Sequence, residues 1–125
     1  MAFSKQTPDV LIASQAFSAN GTYPANSPAY VDVTTAIGML VQFTATSSAA
    51  GTITVGILTS PDNVTWDSAA YPYCTASMYF SAALTQTFSF AIPCSEGVKY
   101  VRAQVVTPSG LSLSAASAVL VRTTA

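Results

Sequence analysis

The side chains best placed by type and spacing for chemistry lie in TSPDNVTWD, residues 59–67. There the carboxylates of Asp62 and Asp67 flank the Asn63 amide and the lone tryptophan, Trp66. Two carboxylates facing each other across a cleft can act as acid and base, or acid and nucleophile, on a glycosidic bond. Carboxylate and amide oxygens are also hard ligands of the kind calcium collects, roughly six to eight at a time. The third possibility is conformational, because proline, aspartate and asparagine are the residues from which tight turns are built.

The spacing favours the third. Asp62 and Asp67 flank one turn and do not face each other across a cleft, and Glu96 belongs to a different turn, so no carboxylate pair is assembled. The stretch lacks the glycine and the terminal glutamate of a calcium loop. Pro61 pre-sets φ for the second turn position, and Asp62 and Asn63 tolerate turn and left-handed conformations. Ser60–Asn63 is therefore expected to close a hairpin. Val64 and Trp66 then fall on one face by the two-residue period of a strand, with Trp66 covering a core.

Little else in the chain could carry a reaction. It contains no histidine, which removes the commonest general base and the commonest transition-metal ligand. Lys5 and Lys99 stand in no recognisable nucleophile motif, and there is no glycine-rich phosphate loop or CxxC pair. The expectation is a protein that is not an enzyme, with no catalytic residue, no cofactor and no metal site. Cys74 and Cys94 suffice for one bridge. In a reducing cytosol they would stay small buried hydrophobes, and their pairing is left open. NGT at 20–22 and NVT at 63–65 fit the glycosylation pattern but carry no weight without a secretory signal.

A second group worth weighing is aromatic: Tyr71, Tyr73, Met78, Tyr79 and Phe80, in a stretch of poor alternation. Such residues plug the end of a core, anchor a subunit contact or stack on sugar rings, and all three readings are open. We carry these five, with Phe3, as candidate subunit-interface residues, and Pro61, Asp62, Asn63 and Trp66 as hairpin and core residues.

The elements that must position these groups read as strands. VLIASQAF (10–17) is an apolar β-type run, SANGTYPANSPA (18–29) a long loop, and 29–33 a short strand. MLVQFTAT (39–46) puts Val41, Phe43 and Ala45 on one face. TITVGILT (52–59) does the same with Ile53, Val55 and Ile57, and Gly56 marks close packing or a bulge. VTWDSAAY (64–71) begins another strand, and 71–84 is less regular. TFSFAI (87–92) aligns Phe88, Phe90 and Ile92, and VKYVRAQVV (98–106) aligns Val101, Ala103 and Val105. The tail keeps Leu111, Leu113, Val119 and Val121 in register, so that 98–122 reads as a long hairpin through the TPSG turn. About eight strands joined by Gly/Pro/Ser turns predict an all-β, single-domain antiparallel sandwich of jelly-roll type over residues 9–125, preceded by a polar arm, 1–8.

Composition narrows the partners. Of 125 residues 50% are hydrophobic and only 7% charged, with mean hydropathy +0.45, yet no apolar run approaches the roughly 20 residues of a membrane-spanning helix. Ordinary globular chains are about a quarter charged. A surface this poor in charge suits a chain buried against other subunits. A net charge of −1 with no basic cluster argues against nucleic acid, and no basic amphipathic helix points to a membrane surface. MAFSKQTPDV has no apolar segment behind a basic start, so cytoplasmic synthesis is expected.

The polar start, AYVDVTTAIGMLVQFTAT, the TITVGILTSPDNVTWDS hairpin and the late VKYVRAQV strand together resemble the β-sandwich proteins that decorate or cement tailed-bacteriophage capsids. Those proteins carry a strand–SxDxxxW–strand hairpin similar to SPDNVTW, and the resemblance covers about residues 28–106. It implies a non-enzymatic virion protein, a homotrimer seated between major capsid subunits, with the arm lying across a neighbour and anchored by Phe3, or else a frayed terminus. The alternative is a carbohydrate- or receptor-binding module of a tail or fibre, using the aromatic stretch and the loop around Tyr23 and Tyr30.

Overall fold

In the computed structural model, which describes residues 4–24, 30–95 and 97–125, the chain is built of strands alone. In order these are β1 (Ser4–Lys5), β2 (Asp9–Phe17), β3 (Gly21–Pro24), β4 (Val31–Asp32), β5 (Gly38–Ser47), β6 (Gly51–Ser60), β7 (Cys74–Phe80), β8 (Thr85–Ala91), β9 (Tyr100–Thr107) and β10 (Leu113–Thr124). They form two antiparallel sheets. In the first, β1 and β2 lie along one edge of β10, followed by β5 and then β8. In the second, β3 and β4 lie along one edge of β9, followed by β6 and then β7. Ten strands thus fill four places in each sheet, and the chain crosses repeatedly between sheets. This is the predicted all-β sandwich of jelly-roll type.

The core follows the two-residue period. Val41, Phe43 and Ala45 of β5 and Ile53, Val55 and Ile57 of β6 are fully buried, as are Val101, Ala103 and Val105 of β9. These come from the central strands of both sheets, whose inner faces interdigitate. Phe88 and Phe90 of β8 are half-buried against this cluster, with Phe88 edge-on to Phe43 at a 5.8 Å centroid separation.

Four expectations are corrected. The long loop at 18–29 contains strand β3, paired with Gln104–Thr107. An edge position tolerates Pro24, and Tyr23 turns inward to pack on the core and on Phe17. Residues 64–71 are not a strand: the chain leaves β6 at Ser60, loops through 61–73 and re-enters the sheet at Cys74, inside the stretch read as irregular. Residues 98–122 are not a hairpin either. β9 and β10 belong to different sheets, and the turn, closed by the Leu111 N–H on the Pro108 carbonyl with Gly110 at φ 82°, carries the chain across the sandwich.

The fourth correction concerns the tail. Leu111 and Leu113 face the core, but past a register shift between Ser114 and Ser117 the inward residues are Ala116, Ala118 and Leu120. Ala115 sits in this bulge with φ 48°, and the extra residue flips the face, sending Val119 and Val121 outward. Within the arm, β1 pairs with Thr123 and Thr124, and the Gln6 side chain donates to Thr124 Oγ1 at 2.8 Å, so residues 4–6 lie on their own sheet. Phe3 lies outside the described residues.

An exposed alanine held in the left-handed region is strained in a way glycine is not. Ala115→Gly is therefore expected to stabilise the fold by about 0.5–1 kcal/mol, read as a higher denaturant midpoint at unchanged slope.

Candidate functional site

TSPDNVTWD is a self-satisfied loop. Ser60 Oγ accepts the N–H groups of Asp62 and Asn63, at 3.3 and 2.9 Å. Asp62 Oδ1 in turn accepts those of Val64 and Thr65, at 2.9 and 2.8 Å. Asn63 takes a left-handed φ of 62°, as its type allows. Asp67 closes the loop: its Oδ2 accepts from both the N–H and the hydroxyl of Thr59, at 2.9 and 2.8 Å, while its own N–H donates to the Thr59 carbonyl at 3.1 Å. Each carboxylate spends an oxygen on organising backbone, and among the described residues no group of three His, Cys, Asp or Glu converges as for a metal. The Thr65 and Val64 amides hold the Asp62 carboxyl below its ordinary value.

Trp66 does not reach the sandwich core, and Val64 stays exposed, correcting the expectation that both face inward. The loop instead folds back over the outer face of the second sheet. There the Arg102 guanidinium lies 4.5 Å from the centroid of the Trp66 ring, a cation–π contact. The Gln104 amide donates to the Ala69 carbonyl at 3.0 Å. Leu58, pointing away from the core, is nonetheless only 3% exposed. Gly56 supplies the clearance, since a Cβ there would sit 3.1 Å from the Gln104 side chain and 3.4 Å from Pro72. Pro61, Asp62 and Asn63 thus form the turn that opens this loop, and Trp66 lies over the sheet.

The aromatic stretch divides. Met78 and Phe80, carried as interface candidates, are core residues, because β7 alternates regularly and points them inward. Tyr73 is half-buried against the core, and its hydroxyl donates to the Pro93 carbonyl at 2.8 Å, tying the start of β7 to the end of β8. Tyr71 and Tyr79 remain open, at 80% and 61% exposure. Cys74 and Cys94 are both free thiols, and burial pushes each above its ordinary pKa.

Two features escaped the reading of the sequence. One is an open groove of about 520 Å³ at the end of the sandwich, lined by residues including Asp9, Tyr30, Asp32, Thr35 and Arg122. Arg122 Nε meets Asp9 Oδ2 at 2.6 Å, and its Nη1 approaches the Asp32 carbonyl at 3.4 Å, so one guanidinium links both sheets. Asp32 is held below its ordinary carboxyl value by the Thr34 N–H and hydroxyl. No local motif announces a pair 113 residues apart.

The other is the bare outer face of the first sheet. Its strands β2, β10, β5 and β8 present Val10, Val119, Val121, Leu40 and Ala91 toward one end, cross-paired as Val10 with Val119 and Val121 with Leu40. A hydroxyl ladder follows toward the other end, with Thr44 bonded to Thr87 at 2.8 Å and Thr46 to Thr85 at 2.6 Å. No charged side chain interrupts these rows, and Leu40 and Val10 are about half exposed. The bulge at Ala115 creates this face by turning Val119 and Val121 outward.

No family model matches the chain, and no curated protein does. Solved structures do. A chain of the T13 particle of infectious bursal disease virus superposes with TM-score 0.61 at 15% identity, over 96% of this chain and 31% of that one. The VP2 subviral particle of the same virus gives 0.56 at 17%, over 98% and 33%. A carbohydrate-binding module from Cellvibrio mixtus lichenase 5A, solved with cellotriose, gives 0.45 at 8%, over 98% and 89%. The chain therefore spans about a third of the viral chains whose fold it shares.

Trp66→Ala removes the cation–π contact with Arg102 and is expected to cost about 1 kcal/mol in chemical denaturation while the far-UV spectrum stays β-type. Because the folded Asp62 and Asp32 carboxyls lie below the ordinary value of 3.8, the unfolded chain takes up protons first on acidification. Their contribution is whole above that value and is lost as pH falls through the folded one. Denaturation midpoints should drop below about pH 4, and Asp62→Asn should flatten that limb.

Proposed function

We propose that this chain is a non-enzymatic structural protein of a virion, a decoration or cement module that binds between major capsid subunits as a homo-oligomer. The observation that carries the reading is the uncharged, half-apolar outer face of the first sheet, on a chain of which only 7% is charged. An exposed apolar face of this kind is the usual mark of an interaction surface. The jelly-roll architecture shared with the infectious bursal disease virus particle agrees with it at the level of fold. The chemistry required is modest: a module that binds only assembled shell shifts the assembly equilibrium toward it by mass action.

A second reading, a glycan-binding module of a tail or fibre, is favoured by one observation, the exposure of Tyr71 and Tyr79. Tyrosine rings left open to solvent can stack on sugars, and in that case Tyr79→Ala removes glycan binding while the solution mass stays the same.

Purified chain mixed with empty shells of its cognate major capsid protein is expected to co-sediment and to raise the denaturant concentration that disrupts them. Leu40→Lys, which places an unpaired charge in the contact, should weaken shell binding about tenfold or more without unfolding the chain. Absence of co-sedimentation, or binding indifferent to Leu40→Lys, would count against this face and this role.

A further inference from the structure

We propose that β8 is a self-pairing edge: two copies of this chain join β8 to β8, antiparallel, about a two-fold axis at Phe88. Among the described residues β8 pairs with β5 on one side only, in an unbroken register from Leu40 opposite Ala91 to Thr46 opposite Thr85. The ladder bonds continue this register at both ends, with the Ile92 N–H on the Met39 carbonyl and the Ser47 N–H on the Leu84 carbonyl. Antiparallel pairing alternates bonded and non-bonded residues, so the even-numbered residues of β8 bond inward to β5. Thr85, Thr87, Ser89 and Ala91 therefore direct their backbone N–H and C=O groups away from the sheet.

These four positions are symmetric about residue 88, which makes the edge complementary to itself. Thr87 of one copy falls opposite Ser89 of the other, and Thr85 opposite Ala91, each as a mutually bonded pair. On the outer face, hydroxyls at 87 and 89 extend the ladder that Thr44 and Thr87 already form. On the inner face the two Phe88 rings meet at the close, non-bonded position. Phe88 and Phe90, half-buried and 5.7 Å apart in one copy, would be covered.

Edge strands are ordinarily guarded by charge, proline, bulges or brevity. β2 carries Asp9 and register shifts, β3 carries Pro24, and β4 is two residues long. β8, TQTFSFA, has none of these guards. The adjoining edge of the second sheet, β7, is uncharged too, so neither edge strand on this flank opposes a second copy. The pairing uses an edge, not the outer face assigned to the shell, and it is a two-fold in place of the three-fold that the sequence resemblance implies.

The test is the solution mass of the full chain by size exclusion with light scattering, from low micromolar to submillimolar concentration, with two variants. Ser89→Pro deletes an N–H that the ladder directs away from β5, and Thr87→Lys places two like charges diagonally across the axis on a bare edge. The expected result is a two-chain mass for the natural sequence and a one-chain mass for both variants, each with an unchanged far-UV spectrum. A one-chain mass for the natural sequence throughout, or an oligomer of any size that neither variant alters, overturns the proposal. Should Ser89→Pro fail to fold, Thr87→Lys decides alone: a monomer supports the pairing and a dimer overturns it. Either result leaves shell binding, read by co-sedimentation, as a separate outcome.

Discussion

Everything in this molecule depends on the contact between the inner faces of four central strands. Val41 and Phe43 of β5 and the inward residues of β10 meet Ile53, Val55 and Ile57 of β6 and Val101, Ala103 and Val105 of β9. Non-directional burial of these side chains supplies the cohesion, at roughly 25 cal/mol per Å² of apolar surface. The direction is supplied by the pleat, which permits only alternate residues to take part. Edges, loops and the end groove are all placed relative to this layer. The Arg122 guanidinium, held by Asp9 and reaching the Asp32 carbonyl, adds a polar link between the sheets at one end, and the Pro108–Leu111 turn adds a covalent one.

The two outer faces are finished in opposite ways. The second sheet supplies its own cover: the 61–73 loop lies against its outer face, with Trp66 on Arg102, Ala69 holding Gln104 and Pro72 close to Gly56. Among the described residues the first sheet has no such cover and shows valine, leucine, alanine, threonine, serine and glutamine to the exterior, on the sheet of which β8 forms an edge. A chain with so little charge keeps few means of repelling neighbours. The neutral face and the unguarded β8 edge therefore adjoin on the same sheet, and the proposed shell contact and self-pairing draw on these two neighbouring surfaces.

The hydrogen bonds of TSPDNVTWD are those of a turn. Asp62 and Asp67 each commit one carboxylate oxygen to the loop itself, on Val64 and Thr65 and on Thr59. Turn chemistry was legible because Pro61, Asp62 and Asn63 act over two or three residues. The destination of Trp66 was not, since it depends on how far the chain runs before pairing again. A strand re-entering at 64 would have turned the indole inward. Re-entry at Cys74 leaves it free to fold outward onto Arg102, a residue 36 positions on in sequence.

Sequence alone determined the strand content, the inward sets of β5, β6 and β9, and the poverty of charge and chemistry, because alternation and composition are local properties of the chain. Tertiary structure decided what local properties leave degenerate. The pattern of 98–122 fits a hairpin and a crossover between sheets equally well, and only the occupied edges of β9 and β10 select the crossover. The reversal of face at Ala115 left no trace in a run of serines and alanines, whose small side chains suit either face. That one bulge turned Val119 and Val121 from expected core residues into part of the exposed face. The face proposed as the shell contact was thus set by a backbone irregularity that side-chain patterning could not reveal.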